Sequence, residues 1–157
     1  MSEIASFLAG KAADWLPGFV LRRLFRPEKV AREIRVGLRG EKPIQPRTDD
    51  PFPQIDIWFE ITNLSHLALT LDRLLFDLWF GQPTINGQIL DLIRVPARTT
   101  SREIRYWSPL TPTQVNRIDD YLSNLGARGH ISLSITAYFL SKVGTIKVED
   151  RMERERP

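Results

Sequence analysis

Two periods of apolar residues divide the chain into a helical beginning and a longer β-rich remainder. Residues 3–16 carry apolar side chains at helical spacing, and residues 19–26 predict a second, shorter helix that Pro27 closes. From Lys29 onward the apolar period becomes two, and the clearest strand is Gln54–Thr62, where isoleucine and phenylalanine alternate with mostly polar residues. The pattern therefore predicts helices followed by strands.

The remaining alternating segments predict a mainly β domain. A capping box of Thr111 and Gln114 opens one helix over 112–125, a proline-rich loop covers 40–53, and the Asn86-Gly87 pair predicts a turn. The predicted strands cover residues 30–38, 54–62, 67–80, 88–95, 99–107, 130–140 and 145–149. Such a series predicts a seven-strand antiparallel fibronectin-like sandwich with an N-terminal helical extension and one inserted helix.

The same pattern suggests where the parts of the chain begin and end. We expect an amphipathic helical extension over 1–27, the sandwich over 28–150, and a charged tail over 151–157 that frays from Glu149 onward. No run reaches the roughly 20 apolar residues of a membrane-spanning helix, and the first residues lack the basic region of an export signal. A cytoplasmic protein, at most peripheral to a membrane, is the expectation.

An asparagine at a strand end and the order of the elements after it resemble the pattern of a known family. Asn63 ends a strand and precedes a leucine-rich segment, the helix 112–125 precedes a long strand, and Gly144 leads into the last strand. Over about 30–149 the chain resembles the water-stress and hypersensitive-response (WHy) domain, the second late-embryogenesis-abundant (LEA) family. That family usually places proline where this chain has Leu64. The resemblance implies a sandwich without catalytic residues, associated with stress tolerance.

Composition and motifs argue against most enzyme chemistry. The 157-residue chain has no cysteine, which removes disulfides, thiol nucleophiles and thiolate metal sites. Its two histidines, His66 and His130, are too far apart in sequence to suggest a zinc site. Neither a Gly-x-Ser-x-Gly elbow nor a phosphate-binding glycine motif occurs. We therefore expect no catalytic residue, metal, cofactor or small-molecule substrate.

Charge and exposed aromatic residues mark two candidate binding regions. Residues 1–47 hold ten basic and five acidic side chains, although the whole chain has a net charge of only +3. Attraction to phosphates or an anionic bilayer therefore belongs to this first third. The candidates there are Trp15, Phe19, Arg22, Arg23, Phe25 and Arg26; on the strands they are Trp58, Trp79 and Tyr138, which point away from the predicted core with Leu75 and Leu140.

Several interpretations of these residues stay open. The first is a non-enzymatic module whose outward aromatic face or basic N-terminal segment binds a protein partner or a second copy, since exposed apolar faces are rarely left uncovered. The second is peripheral docking of residues 15–26 on anionic lipid. The N-terminal helices could instead cover the aromatic face themselves. Nucleic-acid binding is the weakest binding hypothesis, because the basic residues are not clustered with stacking aromatics.

Overall fold

Nine strands and three helices form the part of the chain that the structure describes. The computed structural model describes residues 16–80, 84–123 and 130–155, so the predicted helix over 3–16 lies almost wholly outside it. The helices are α1 (Gly18–Leu24), α2 (Pro27–Arg32) and α3 (Pro112–Ser123). The strands are β1 (Ile34–Leu38), β2 (Ile44–Arg47), β3 (Gln54–Asn63), β4 (Leu69–Phe80), β5 (Thr84–Ile89), β6 (Ile93–Val95), β7 (Thr99–Pro109), β8 (His130–Ser141) and β9 (Gly144–Glu155).

The strands form two antiparallel sheets, which confirms the predicted fold class. In the first sheet, β7 pairs along nearly all of β3, while β1 and β2 pair with successive halves of β3. In the second sheet, β4 pairs with β8 on one edge and with β5 and β6 in succession on the other, and β9 completes the order beside β8. β1 and β2 thus share one strand position of the first sheet, and β5 and β6 share one of the second. The nine segments therefore fill the seven strand positions of a sandwich.

The inner faces of the two sheets enclose one apolar core. Alternate residues of β3 and β4 point into it, and the rings of Phe59 and Phe76 meet there with centroids 5.0 Å apart. In β4 a bulge between Leu71 and Arg73 changes the parity, so that both Leu71 and Leu74 are buried. The period-two prediction for β3 and for the second half of β4 is confirmed.

The structure corrects the prediction for the segment before the first strand. Residues 27–32, expected to be partly strand, form α2, and Pro27 opens this helix instead of closing the preceding one. The fixed φ of proline suits the first helical turn, and Val30 is buried from the helix. The predicted loop over 40–53 contains β2, in which Pro46 lies opposite Ile55. Proline is tolerated there because β2 is an edge strand.

Three further predictions on the strands are wrong. Asn86 and Gly87 do not form a turn, since they lie within β5, where Gly87 is paired with Phe76. A Cβ at Gly87 would lie 2.4 Å from the Phe76 ring, so close packing accounts for the glycine. The strand predicted over 88–95 is interrupted at 90–92, and β9 does not fray at Glu149 but pairs with β8 as far as Glu155.

The two lateral sides of the sandwich differ. On one side α2 packs against β9, and β1 lies close to β9, so the edges of the two sheets meet. On the other side β7 borders the first sheet and β5 with β6 borders the second; among the described residues no further strand pairs with β7. The edge of β7 therefore has no strand partner in the described chain.

Candidate functional site

Helix α1 carries the most exposed apolar residues of the predicted N-terminal site. Leu21 is completely buried and holds the helix on the sandwich, with Phe25 partly buried beside it. Phe19 and Leu24, in contrast, are 76% and 62% exposed. At 3.6 residues per turn, Phe19 and Arg23 share the side of the helix opposite Leu21. The helix thus presents a phenylalanine to solvent on its outer face.

Three arginines surround these exposed apolar residues. Arg22, Arg23 and Arg26 are all exposed. Two of them lie in the last turn of α1, where positive charge interacts favourably with the helix dipole. Phe19 and the three arginines thus lie on one exposed segment, while Phe25 turns toward the core. Trp15 lies outside the described residues.

Trp58 lies on the outer face of the first sheet, where arginine side chains cover its ring. The Arg39 guanidinium carbon lies 4.3 Å from the ring centroid and that of Arg105 lies 5.8 Å away, distances typical of cation–π contacts. Arg39 also pairs with Glu103 at 3.2 Å. The indole is consequently half-buried within its own protein.

Beside Trp58, the buried carboxylate of Asp56 orders the arginines. This carboxylate was not among the site residues predicted from the sequence. Asp56 is only 1% exposed, although it points to the outer face of the sheet. Arg105 Nε and Nη2 donate to its Oδ1 at 2.9 and 2.7 Å, and Arg47 Nη2 lies 3.5 Å from Oδ2. A buried carboxylate requires such partners. The arginines come from β2 and β7, so only the strand pairing brings this group together.

Trp79 and Tyr138 lie on the outer face of the second sheet, on the far side of the sandwich from Trp58. Both rings are half-buried, and the Arg73 guanidinium lies 4.5 Å from the Tyr138 centroid. Leu75 and Leu140 on this face are 37% and 43% exposed. The predicted aromatic group therefore does not share one face, because Trp58 belongs to the other sheet.

The same face carries a lysine–glutamate pair on β9. Lys147 lies opposite Tyr138 and forms an ion pair with Glu149. Its hydrogen bond to that carboxylate raises the pKa of Lys147, with smaller Coulombic contributions from Glu149 and Tyr138. Polar side chains thus interrupt the apolar residues of this face.

The strand-ending Asn63 has a structural role in the molecule. Its side chain is fully buried; the Nδ2 group donates to the carbonyls of Leu67 at 2.9 Å and Pro96 at 3.0 Å. Its Oδ1 accepts from the backbone N–H and the hydroxyl of Ser65 at 3.1 and 2.6 Å. One amide therefore satisfies four polar groups and joins the turn after β3 to the segment before β7.

Within the described residues, no group of three or more histidine or acidic side chains could hold a metal ion. His66 Nε2 contacts the Arg98 guanidinium, a pairing with a cation rather than with a carboxylate. In the same part of the chain no helix is long and apolar enough to cross a bilayer.

Comparisons with known proteins concern the fold. No protein-family model matches the sequence. No curated protein matches it either. A protein proposed to be a late-embryogenesis-abundant protein, solved in solution, is similar over 99% of this chain and 85% of its own, with 16% identity and a TM-score of 0.44.

Two other solved structures are similar to a comparable degree. A protein from Arabidopsis thaliana matches with 17% identity and a TM-score of 0.43, over 78% of each chain. A target of the Northeast Structural Genomics Consortium matches with 16% identity and a TM-score of 0.48, over 82% of this chain and 90% of its own. A late-embryogenesis-abundant candidate is thus among the structures similar to this chain. At this level of similarity the comparisons assign neither an activity nor a ligand.

Proposed function

We propose that this protein is a non-catalytic binding module that attaches to anionic phospholipid surfaces through helix α1. The observation that carries the proposal is the exposure of Phe19 and Leu24, 76% and 62%, on a helix whose buried Leu21 faces the sandwich. Apolar side chains so placed can enter the headgroup boundary without unfolding the domain.

The charge around these residues supports an anionic surface as the ligand. Arg22, Arg23 and Arg26 are exposed and adjacent to Phe19 and Leu24. Each basic residue near an anionic surface contributes about 1 kcal/mol, so three of them supply about 3 kcal/mol. Arginine also suits phosphate groups, because its planar donors can bind two oxygens at once. Apolar insertion and phosphate contact could therefore act together on one short helix.

A protein partner on the outward aromatic residues has weaker support. Trp58 and Tyr138 are already covered by Arg39 and Arg73, and they lie on opposite sides of the sandwich. Binding hot spots usually cluster in one patch of accessible aromatic side chains. We include in the membrane proposal a role in stress protection and a cytoplasmic location at the membrane periphery, since both are compatible with it.

The proposal is tested by co-sedimentation of the full chain with vesicles. We expect binding to phosphatidylcholine vesicles that contain about a quarter phosphatidylserine, no binding to phosphatidylcholine alone, and weaker binding as salt is raised. The Arg22→Glu/Arg23→Glu variant should lose at least about 30-fold in affinity, because two contributions of about 1 kcal/mol are removed and reversed. The Phe19→Ala/Leu24→Ala variant should also bind more weakly while unfolding at the same temperature.

A matched control separates local contact from overall charge. The Arg94→Glu/Arg117→Glu variant changes the net charge equally at exposed positions outside α1, on β6 and α3, so it should keep most of the binding. Equal losses in both arginine variants would mean that binding is diffuse and not at α1. Absence of binding to either vesicle would remove the membrane proposal and leave a protein partner as the hypothesis to pursue.

A further inference from the structure

We infer that two copies of this chain associate through the unpaired edges of β7, as a two-fold dimer in which the two β7 strands pair antiparallel around Ile104. β7 is eleven residues long, Thr99–Pro109, and pairs with β3 on one edge only within the described chain. A long open strand edge is a template for pairing with another chain. This inference is independent of the membrane proposal, because it concerns a different side of the molecule.

The two-fold symmetry limits the possible registers. In an antiparallel pair related by such an axis, residues opposite each other must point to the same face, so one residue lies opposite its own copy and the axis runs between the two. The strand is regular from Arg102 to Pro109, and a bulge lies between Arg102 and Thr99, where β7 has one residue more than β3. An axis beside Ile104 places Arg102 opposite Tyr106 of the second copy, within the regular part of the strand.

Charge complementarity selects the same register. With the axis at Ile104, Glu103 lies opposite Arg105 of the second copy, and the pair occurs twice. An axis at Glu103 would oppose two glutamates, and an axis at Arg102 or Arg105 would oppose two arginines. Opposite charges across a strand pair are favourable and like charges are not. The charges of β7 therefore favour this register over those centred on Arg102, Glu103 or Arg105.

The existing ion pairs extend across such an interface. Arg39 already lies 3.2 Å from Glu103, and Arg105 already binds the buried Asp56. Pairing at Ile104 would place Glu103 between Arg39 of its own chain and Arg105 of the second copy. Positive and negative groups would then alternate from Arg39 of one copy to Asp56 of the other.

Exposed apolar residues lie along this same side of the sandwich. Trp107 is 60% exposed on β7, and Leu90 and Leu92, in the segment between β5 and β6, are 61% and 70% exposed. A groove of about 430 Å³ separates Leu90 from Trp107. Exposed apolar side chains beside an open edge are typical of an association surface, and a second copy at β7 would lie over this groove.

The test is sedimentation of the full chain over a concentration series, followed by one charge reversal. We expect a dimer of about 36 kDa, twice the 18.1 kDa chain. The Glu103→Arg variant should weaken association at least about tenfold, because it opposes arginines at two positions. The control is Glu60→Arg, which makes the same charge change on the same face of the sheet. Glu60 is the register partner of Glu103 on β3, away from the open edge, so this variant should remain dimeric.

A distance measurement tests the register directly. The chain has no cysteine, so a Ser101→Cys variant can be spin-labelled at one position. Pairing around Ile104 places the two labelled residues six positions apart along the strands, about 20 Å between their Cα atoms. A protein that stays monomeric would overturn the inference. So would a dimer that Glu103→Arg leaves unchanged, or one whose labels lie beyond about 30 Å.

Discussion

Replacing Asn63 should test whether a single buried amide joins two segments of the fold. In the Asn63→Ala variant, the Ser65 N–H loses its Oδ1 acceptor. The Pro96 carbonyl loses its Nδ2 donor but keeps the hydrogen bond from the Thr99 hydroxyl at 2.9 Å. Ser65 Oγ also lies 3.3 Å from the Leu67 carbonyl, so those two groups can still bind each other. One buried backbone group, the Ser65 N–H, is thus left without a side-chain partner in a region with no access to solvent at Asn63.

The expected cost follows from that group. A buried polar group without a partner costs about 1–3 kcal/mol, so Asn63→Ala should lower the free energy of unfolding by about 1–3 kcal/mol. That is a large fraction of the roughly 5–15 kcal/mol that stabilises a domain. Urea denaturation followed by tryptophan fluorescence measures the change. The control is Thr62→Ala, which removes the exposed hydrogen bond from Thr62 to the Thr100 carbonyl and should cost less than about 1 kcal/mol.

The Asn63→Asp variant tests the same contacts through the pH dependence of stability. Its carboxylate would face the Leu67 and Pro96 carbonyl oxygens, which raises the pKa of the new carboxyl in the folded state. A group whose pKa is raised by folding stabilises the protein only below its unfolded value, about 3.9 for aspartate. The deficit relative to the natural protein should therefore be smallest below about pH 4 and grow as pH rises through the folded pKa. A cost for Asn63→Ala no larger than that of the Thr62→Ala control, or a pH-independent deficit for Asn63→Asp, would refute this account.

Two other substitutions test close packing and charge burial. Gly87→Ala should destabilise the fold by about 1–3 kcal/mol in urea denaturation, because the added Cβ would lie 2.4 Å from the Phe76 ring. In the control, Gly40→Ala, the added Cβ would meet no atom within 4 Å, so stability should change by less than about 0.5 kcal/mol. Arg105→Ala should cost about 1–3 kcal/mol, because Asp56 keeps only its longer pairing at 3.5 Å. An unchanged midpoint for Gly87→Ala or Arg105→Ala would mean that the neighbouring strands rearrange freely.

Much of the architecture could be predicted from local pattern. Period-two alternation identified β3 because one side of that strand is apolar and lies in the core, while the other side carries mostly polar residues. The Thr111–Gln114 capping box forms as expected, with the Thr111 N–H donating to Gln114 Oε1 at 2.9 Å. Short-range signals failed where one residue type suits several structures. Pro27 can end a helix or begin one, and Asn86-Gly87 suits a turn or, as here, a strand that must fit against an aromatic ring.

The candidate surfaces divide in the same way between sequence and tertiary structure. Amphipathic spacing and charge suggested Phe19 and the arginines of the α1 segment as candidates, because a helix sets its faces by local geometry. Only the assembly of the sheets decided that Trp58 and Tyr138 lie on opposite sides, that Asp56 is buried beneath arginines of other strands, and that β7 has an open edge. Alternation along a strand tells which residues share its face, but the neighbours across that face come from distant parts of the chain, and only the pairing of strands determines them.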